Sequence, residues 1–150
     1  MIRNGIDLIA SVPLVPMLER KERAHGVSHG LSEAGYDIRI AQDVTLHPFR
    51  RFALASTVER FQMPTSLVGI VHDKSTWARR GLSVFNTVIE PGWSGYLTLE
   101  LVYHGLRPIR IPAGAGIAQV IFHETSERAR YGGKYQNQPN RPVSAIMERG

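Results

Sequence analysis

The chain has 150 residues, no cysteine, and a formal net charge of +5 from 18 Lys and Arg against 13 Asp and Glu. That length fits one domain with a sizeable core, and the missing cysteine excludes disulfides and thiolate metal sites. No apolar run reaches the length of a membrane span, and Met1-Ile2-Arg3-Asn4 does not open a signal peptide, so the expected location is cytoplasmic, with no membrane partner.

The basic residues are spread along the chain, with small clusters at 20–23, 50–51 and 79–80, and no aromatic-basic signature of a single-strand binder stands out. No nucleic-acid partner is therefore expected; an anionic small molecule accounts for the charge equally well.

The N-terminal segment, residues 1 to about 30, has the weakest pattern. Ile6 to Met17 is apolar with two prolines, and Leu18-Glu19-Arg20-Lys21-Glu22-Arg23 reads as a short helix. His25 and His29 are four apart, but Gly26 intervenes and no third ligand is near, so a surface loop is expected rather than a metal site. From Tyr36 the pattern turns β: Tyr36, Ile38 and Ile40 alternate with Asp37 and Arg39. Phe52, Leu54 and Ser56 continue the alternation after the Leu46-His47-Pro48 corner, and Leu67 to Val71 suits a buried strand. No internal repeat or linker interrupts the chain, so 1–150 reads as a single domain. Short strands punctuated by glycine and proline indicate a compact β-sandwich or distorted barrel.

In Lys74-Ser75-Thr76-Trp77-Ala78-Arg79-Arg80-Gly81, Ser75 is a good helix start and Gly81 a good stop, and Ser75 and Arg79 share a helical face. Two readings fit this segment. It is either a capped surface helix with a solvated basic face, or a turn whose free N–H groups and Lys74 hold a phosphate. Glu90-Pro91-Gly92-Trp93-Ser94-Gly95 then marks a reversal. Tyr96 to Leu101 alternates strictly, with Leu97, Leu99 and Leu101 on one face and Tyr96, Thr98 and Glu100 on the other.

Beyond Glu100, His104-Gly105 and Arg107-Pro108 mark another turn. Ala113-Gly114-Ala115-Gly116 has no Lys-Ser/Thr pair after it, so it reads as a tight loop rather than a phosphate cradle. Gln119 stands in an otherwise apolar strand, where its amide needs partners. The tail changes character after Glu124. Tyr131-Gly132-Gly133-Lys134-Tyr135-Gln136-Asn137-Gln138 is flexible and polar, and 139–150 reads as a frayed terminus.

The SxxAR-G segment, the acid-Pro-Gly-Trp-x-Gly turn and the TLE strand resemble the dCTP deaminase family, relatives of the trimeric dUTPases. The similarity runs from about Gly30 to Gln138 through GLSEAGYDIRI, LHPFRRFALASTVERFQMP, GAGIAQVIF and GKYQNQ, in family order. It implies a mostly β, jelly-roll-like domain with short helices, assembled as a homotrimer whose active sites are shared between subunits. The implied reaction is hydrolytic deamination of dCTP to dUTP and ammonia, with the product directed to thymidylate synthesis.

The resemblance also implies residue roles. Glu100 matches the catalytic glutamate, and Ser75 and Arg79 match groups that hold the water and polarise the site from a neighbouring subunit. Lys74 stands at a phosphate-binding arginine position. Asn86, Thr87 and Val88 occupy the hairpin that contacts base and sugar and lends a carbonyl to the water, with Glu90 and Trp93 in the turn beyond it. Gln119 faces the nucleotide. Tyr131 and Lys134 contact phosphates with Gln138 nearby, in a lid or tail over about 126–150. Magnesium accompanies the triphosphate and is not held by protein ligands.

Many deaminases activate water with zinc through H-x-E and P-C-x-x-C motifs. Neither motif occurs here, so no zinc is expected, and one buried carboxylate has to collect and return the protons. Three features depart from the family pattern: the hairpin between Gly81 and Glu90 is shorter, an insertion before Leu46 is missing, and Glu90 replaces an aspartate. In dUTPases that aspartate positions water for attack on the α-phosphate, and an extra methylene moves a carboxylate by about an ångström, enough to cost heavily in rate. The alternatives are a dUTP pyrophosphatase or bifunctional enzyme releasing dUMP, and a nucleotide-binding module without catalysis. Glu100 favours deamination, since dUTPases usually carry an apolar residue at the matching position.

Overall fold

The computed structural model describes residues 1–148. The N-terminal part contains β1 (Ile2–Arg3), α1 (Gly5–Ser11), β2 (Leu14–Val15), β3 (Lys21–Ala24) and β4 (Val27–Leu31). Next come β5 (Tyr36–Arg39), β6 (Val44–Leu46), β7 (Phe52–Gln62) and β8 (Leu67–Asp73). The single-turn α2 (Ser75–Ala78) leads to β9 (Leu82–Val84), β10 (Val88–Ile89), β11 (Ser94–Tyr103), β12 (Ile109–Ile111) and β13 (Gly116–Glu124).

The fold is mostly β, and the named strand pairs are all antiparallel. One sheet has the order β10-β8-β13-β5-β4-β3, with β1 also on β13; a second runs β2-β7-β11-β9; β12 and β6 form a ribbon. Tyr36, Ile38, Val71, Val120 and Phe122 from the larger sheet and Phe61, Leu99 and Leu101 from the smaller one belong to one buried cluster. Burying each such side chain contributes roughly 1.5–3 kcal/mol, which holds the two layers together.

The segment expected to form a helix at 18–23 is not helical. His25 (φ 54°) and Gly26 (φ 74°) make a tight turn that pairs Lys21–Ala24 with Val27–Leu31. The helix lies earlier, at Gly5–Ser11, and ends where Val12 turns left-handed. His29 is not in a surface loop either: it lies in β4 and is buried. Among the described residues no group of His, Asp and Glu side chains is arranged to hold a metal, and no helix is long and apolar enough to cross a membrane.

The long strand β7 is exposed at its start and buried further along. Phe52 is 52% exposed, whereas Ala55 and Phe61 are fully buried. Opposite Leu97 the β7–β11 register shifts, placing Thr57, Val58 and Glu59 against one residue. Thr57 Oγ1 accepts the Leu97 N–H at 3.0 Å, and the fully buried Glu59 reaches Arg39. Its carboxylate accepts the Arg39 backbone N–H at 2.9 Å and Nε–H at 2.8 Å. Burial pushes the Glu59 carboxyl upward and Arg39 opposes it. The charged residues of the Asp37-Ile38-Arg39 strand thus serve two inward pairs: Arg39 with Glu59 across the layers, and Asp37 with Lys74.

Candidate active site

β11 turns Leu99 and Leu101 to the core and Thr98 and Glu100 to the opposite face. The expected split slips at Leu97, which lies at the register shift and lines a cavity together with Thr98 and Glu100. This cavity has a volume of about 530 Å³. Its floor is β11 and β7, where Leu54 stands directly opposite Glu100. One wall is the connection from β9 to β10, which crosses between sheets because β9 pairs with β11 whereas Val88 and Ile89 pair with Ile70 and Gly69 of β8. The turn Glu90-Pro91-Gly92-Trp93 closes with Trp93 N–H on Glu90 O at 3.1 Å, and Gly92 takes the left-handed conformation the turn needs.

The remaining wall is the tail. Gln138 bridges to Gly95 in parallel, Tyr96 N–H donates to Gln138 O, and Trp93 Nε1 donates to Tyr135 O at 2.7 Å. Where fraying was expected, Pro139 to Glu148 folds back so that Val143, Ser144 and Ala145 line the cavity; residues 149–150 lie outside the described residues.

Glu100 is half-buried among mostly apolar neighbours. Burial pushes its carboxyl above the ordinary carboxylate range, opposed only by a backbone contact within Glu100 itself. Burial of this kind favours the neutral, protonated carboxyl over the carboxylate.

A second, polar cleft of about 240 Å³ lies at the end of β8 and the start of α2. Lys74, Ser75 and Gln119 line it with Ser32, Asp37 and Asp73. Lys74, not Ser75, is the residue before the helical turn, and neither side chain caps it; Arg79 N–H closes the turn on Ser75 O at 3.0 Å. Lys74 Nζ is committed to Asp37 Oδ2 with both side chains nearly buried, and Asp73 Oδ1 accepts the Val84 N–H at 2.7 Å. Gln119 finds the partner its amide needs in Ser32, whose Oγ accepts Nε2–H at 2.9 Å.

Of the residues singled out in the sequence, Thr87, Val88, Glu90, Trp93, Glu100, Tyr131 and Gln138 line the large cavity, and Lys74, Ser75 and Gln119 line the polar cleft. Arg79 and Asn86 are exposed and line neither; Lys134 lines neither and pairs with Glu148 at 3.4 Å. The two clefts share no lining residue. Sequence reasoning passed over Thr98 and Tyr135 in the cavity and Asp37 in the cleft. Alternation already put Thr98 on the Glu100 face, but nothing local in the sequence brought Asp37 to Lys74.

Residues 4–125 match the family described as dCTP deaminase-like. A dCTP deaminase of Campylobacter hominis is 33% identical, covering 98% of this chain and 91% of that protein. One of Cupriavidus taiwanensis is 39% identical over 75% of this chain and 77% of its own length. Among solved structures, a mutant dUTPase from phage phi11 of S. aureus superposes with a TM-score of 0.59 at 19% identity, covering 81% of this chain and 95% of that one. The EIAV dUTPase gives 0.56 at 23% identity over 76% and 89%. At such identities the solved structures speak to the fold, which is dUTPase-like.

Proposed function

Because the chain belongs to the dCTP deaminase-like family, we propose that it hydrolyses dCTP to dUTP and ammonia, with Glu100 as the proton shuttle. The observation that carries this reading is the half-buried carboxyl of Glu100, raised by burial, in a cavity with Thr87, Val88, Glu90, Trp93 and Tyr131. Glu100 takes a proton from water as the water oxygen bonds C4, and delivers it to N3. A second transfer through the same carboxyl carries the remaining water proton to the amino group; the C4–N bond breaks and ammonia leaves.

Ser75 and Arg79 hold and polarise that water from a neighbouring copy of the chain, in a homotrimer with shared sites. The disjoint linings of the two clefts support the sharing. So do Phe52, Phe85 and Val88, each more than half exposed on or beside the Glu100 face, an apolar surface suited to a subunit contact. Lys74, Tyr131 and Lys134 attend the phosphates with Gln138 nearby, Gln119 faces the nucleotide, and Asn86, Thr87 and Val88 attend base and sugar, with Glu90 and Trp93 in the turn beyond.

Asp37 and Asp73 already serve Lys74 and the Val84 amide, so the donor set fits a magnesium ion held by triphosphate oxygens and water rather than by a protein cage. Bound with the triphosphate, magnesium would neutralise phosphate charge. Incubation with dCTP and magnesium, followed by chromatography, tests the proposal. The expected product is dUTP; dUMP indicates a bifunctional enzyme, and with unchanged dCTP a parallel incubation with dUTP separates a pyrophosphatase, which releases dUMP, from a module that only binds nucleotides.

A further inference from the structure

Thr98 is almost fully buried, two residues before Glu100 and on the same face of β11. Its hydroxyl is the meeting point of both legs of the tail. Oγ1 accepts the Val143 N–H at 3.0 Å and lies 3.5 Å from Gln138 Oε1, to which it donates. The legs are also tied to each other, through Ile146 N–H on Tyr135 Oη at 2.9 Å and the Lys134–Glu148 pair. The Lys134–Glu148 pair is exposed at Glu148 and contributes little. The bonds to Thr98, by contrast, are part-buried at the wall of the cavity, where an unpaired donor is more costly than on the open surface.

We propose that Thr98 is the latch of a lid formed by residues 131–148, and that its hydroxyl sets how tightly a nucleotide is retained over Glu100. With the lid down, about 530 Å³ remains beneath it, so the closed arrangement accommodates an occupant rather than displacing one. Thr98 acts through the tail and is a positioning residue: it holds Gln138 and Val143 against the strand and leaves the chemistry to its neighbour. The nucleotide half of this inference rests on the deaminase reading; the latch itself does not.

Amide hydrogen exchange and dCTP kinetics on Thr98→Val and Thr98→Ser test it. Valine matches threonine in shape and removes both bonds, while serine keeps the hydroxyl. In Thr98→Val without nucleotide, the Val143 and Ile146 amides should exchange roughly 10-fold faster, as expected for losing one to two net hydrogen bonds, and serine should restore protection. The KM for dCTP should rise several-fold in the valine variant while kcat stays within about twofold, because retention and not proton transfer is weakened. Equal Val143 exchange in wild type and Thr98→Val overturns the latch. Faster exchange with an unchanged KM overturns its role in retention. If wild type shows the exchange pattern but no turnover of dCTP, the deaminase reading fails and the latch stands.

Discussion

Glu100 and Glu59 are carboxylates drawn out of water on neighbouring strands, and they differ in what meets them. Glu59 is met by Arg39, which bonds it through both backbone and side chain; Glu100 is met by Leu54, Thr98 and the tail. Glu59→Ala leaves Arg39 without its buried partner and should lower stability by about 3–5 kcal/mol in urea unfolding. Glu100→Gln should reduce dCTP deamination by roughly 10²–10⁴-fold while leaving dCTP binding nearly intact, read by steady-state rates and equilibrium titration. The same substitution has a signature in stability. Burial raises the Glu100 carboxyl above its ordinary value of 4.5, so between that pH and the raised value the folded chain retains a proton the unfolded chain has lost. Stability contributed by the protonated group is therefore lost as pH rises through this window. The Tm of Glu100→Gln should match wild type at the acid end and exceed it increasingly above; a constant difference at all pH values would count against a raised carboxyl.

At the scale of elements, the tail depends on a close backbone approach at Gly95. Gly95 has φ +141°, and a Cβ placed there would come 2.5 Å from the Gln138 nitrogen. Gly95→Ala should release 131–148 from β11, seen as faster proteolysis of the tail and altered fluorescence of Trp93, whose indole N–H bonds Tyr135 O. The strands around the site were legible in the sequence because periodicity and turn residues are local: Leu67–Val71 and Glu90–Trp93 stand as read, and Tyr96–Leu101 does so except at Leu97. The tail was not legible as a docked element. Gly132, Gly133 and the prolines beyond signal a loose terminus locally, while the groups that hold the segment, Gly95 and Thr98, lie some forty positions earlier. The helix read at 18–23 failed similarly, since the turn at His25-Gly26 outweighed its charged, helix-favouring composition. The lengthening of β7 opposite Leu97, which carries Glu59 inward, leaves no trace in alternation at all.

Taken whole, one chain presents the Glu100 cavity and the Ser75 cleft as separate surfaces. If subunits complete each other's sites, Arg79→Ala and Glu100→Gln chains, each inactive alone, should regain activity on mixing and exchange, because some sites then pair an intact glutamate with an intact arginine. Mixed oligomers that remain inactive would speak against sharing. The pairing of Lys74 with Asp37 bears on how a nucleotide arrives at such an assembly. An ammonium and a carboxylate in contact present a dipole, whose pull on a phosphate fades faster with distance than that of a free ion. On the deaminase reading proposed above, Arg79 and Arg80, both exposed and in no ion pair among the described residues, would draw the polyanion in from solution. Capture should then weaken with added salt, whereas the grip of the buried couple, once phosphate is alongside, should be little affected by ionic strength.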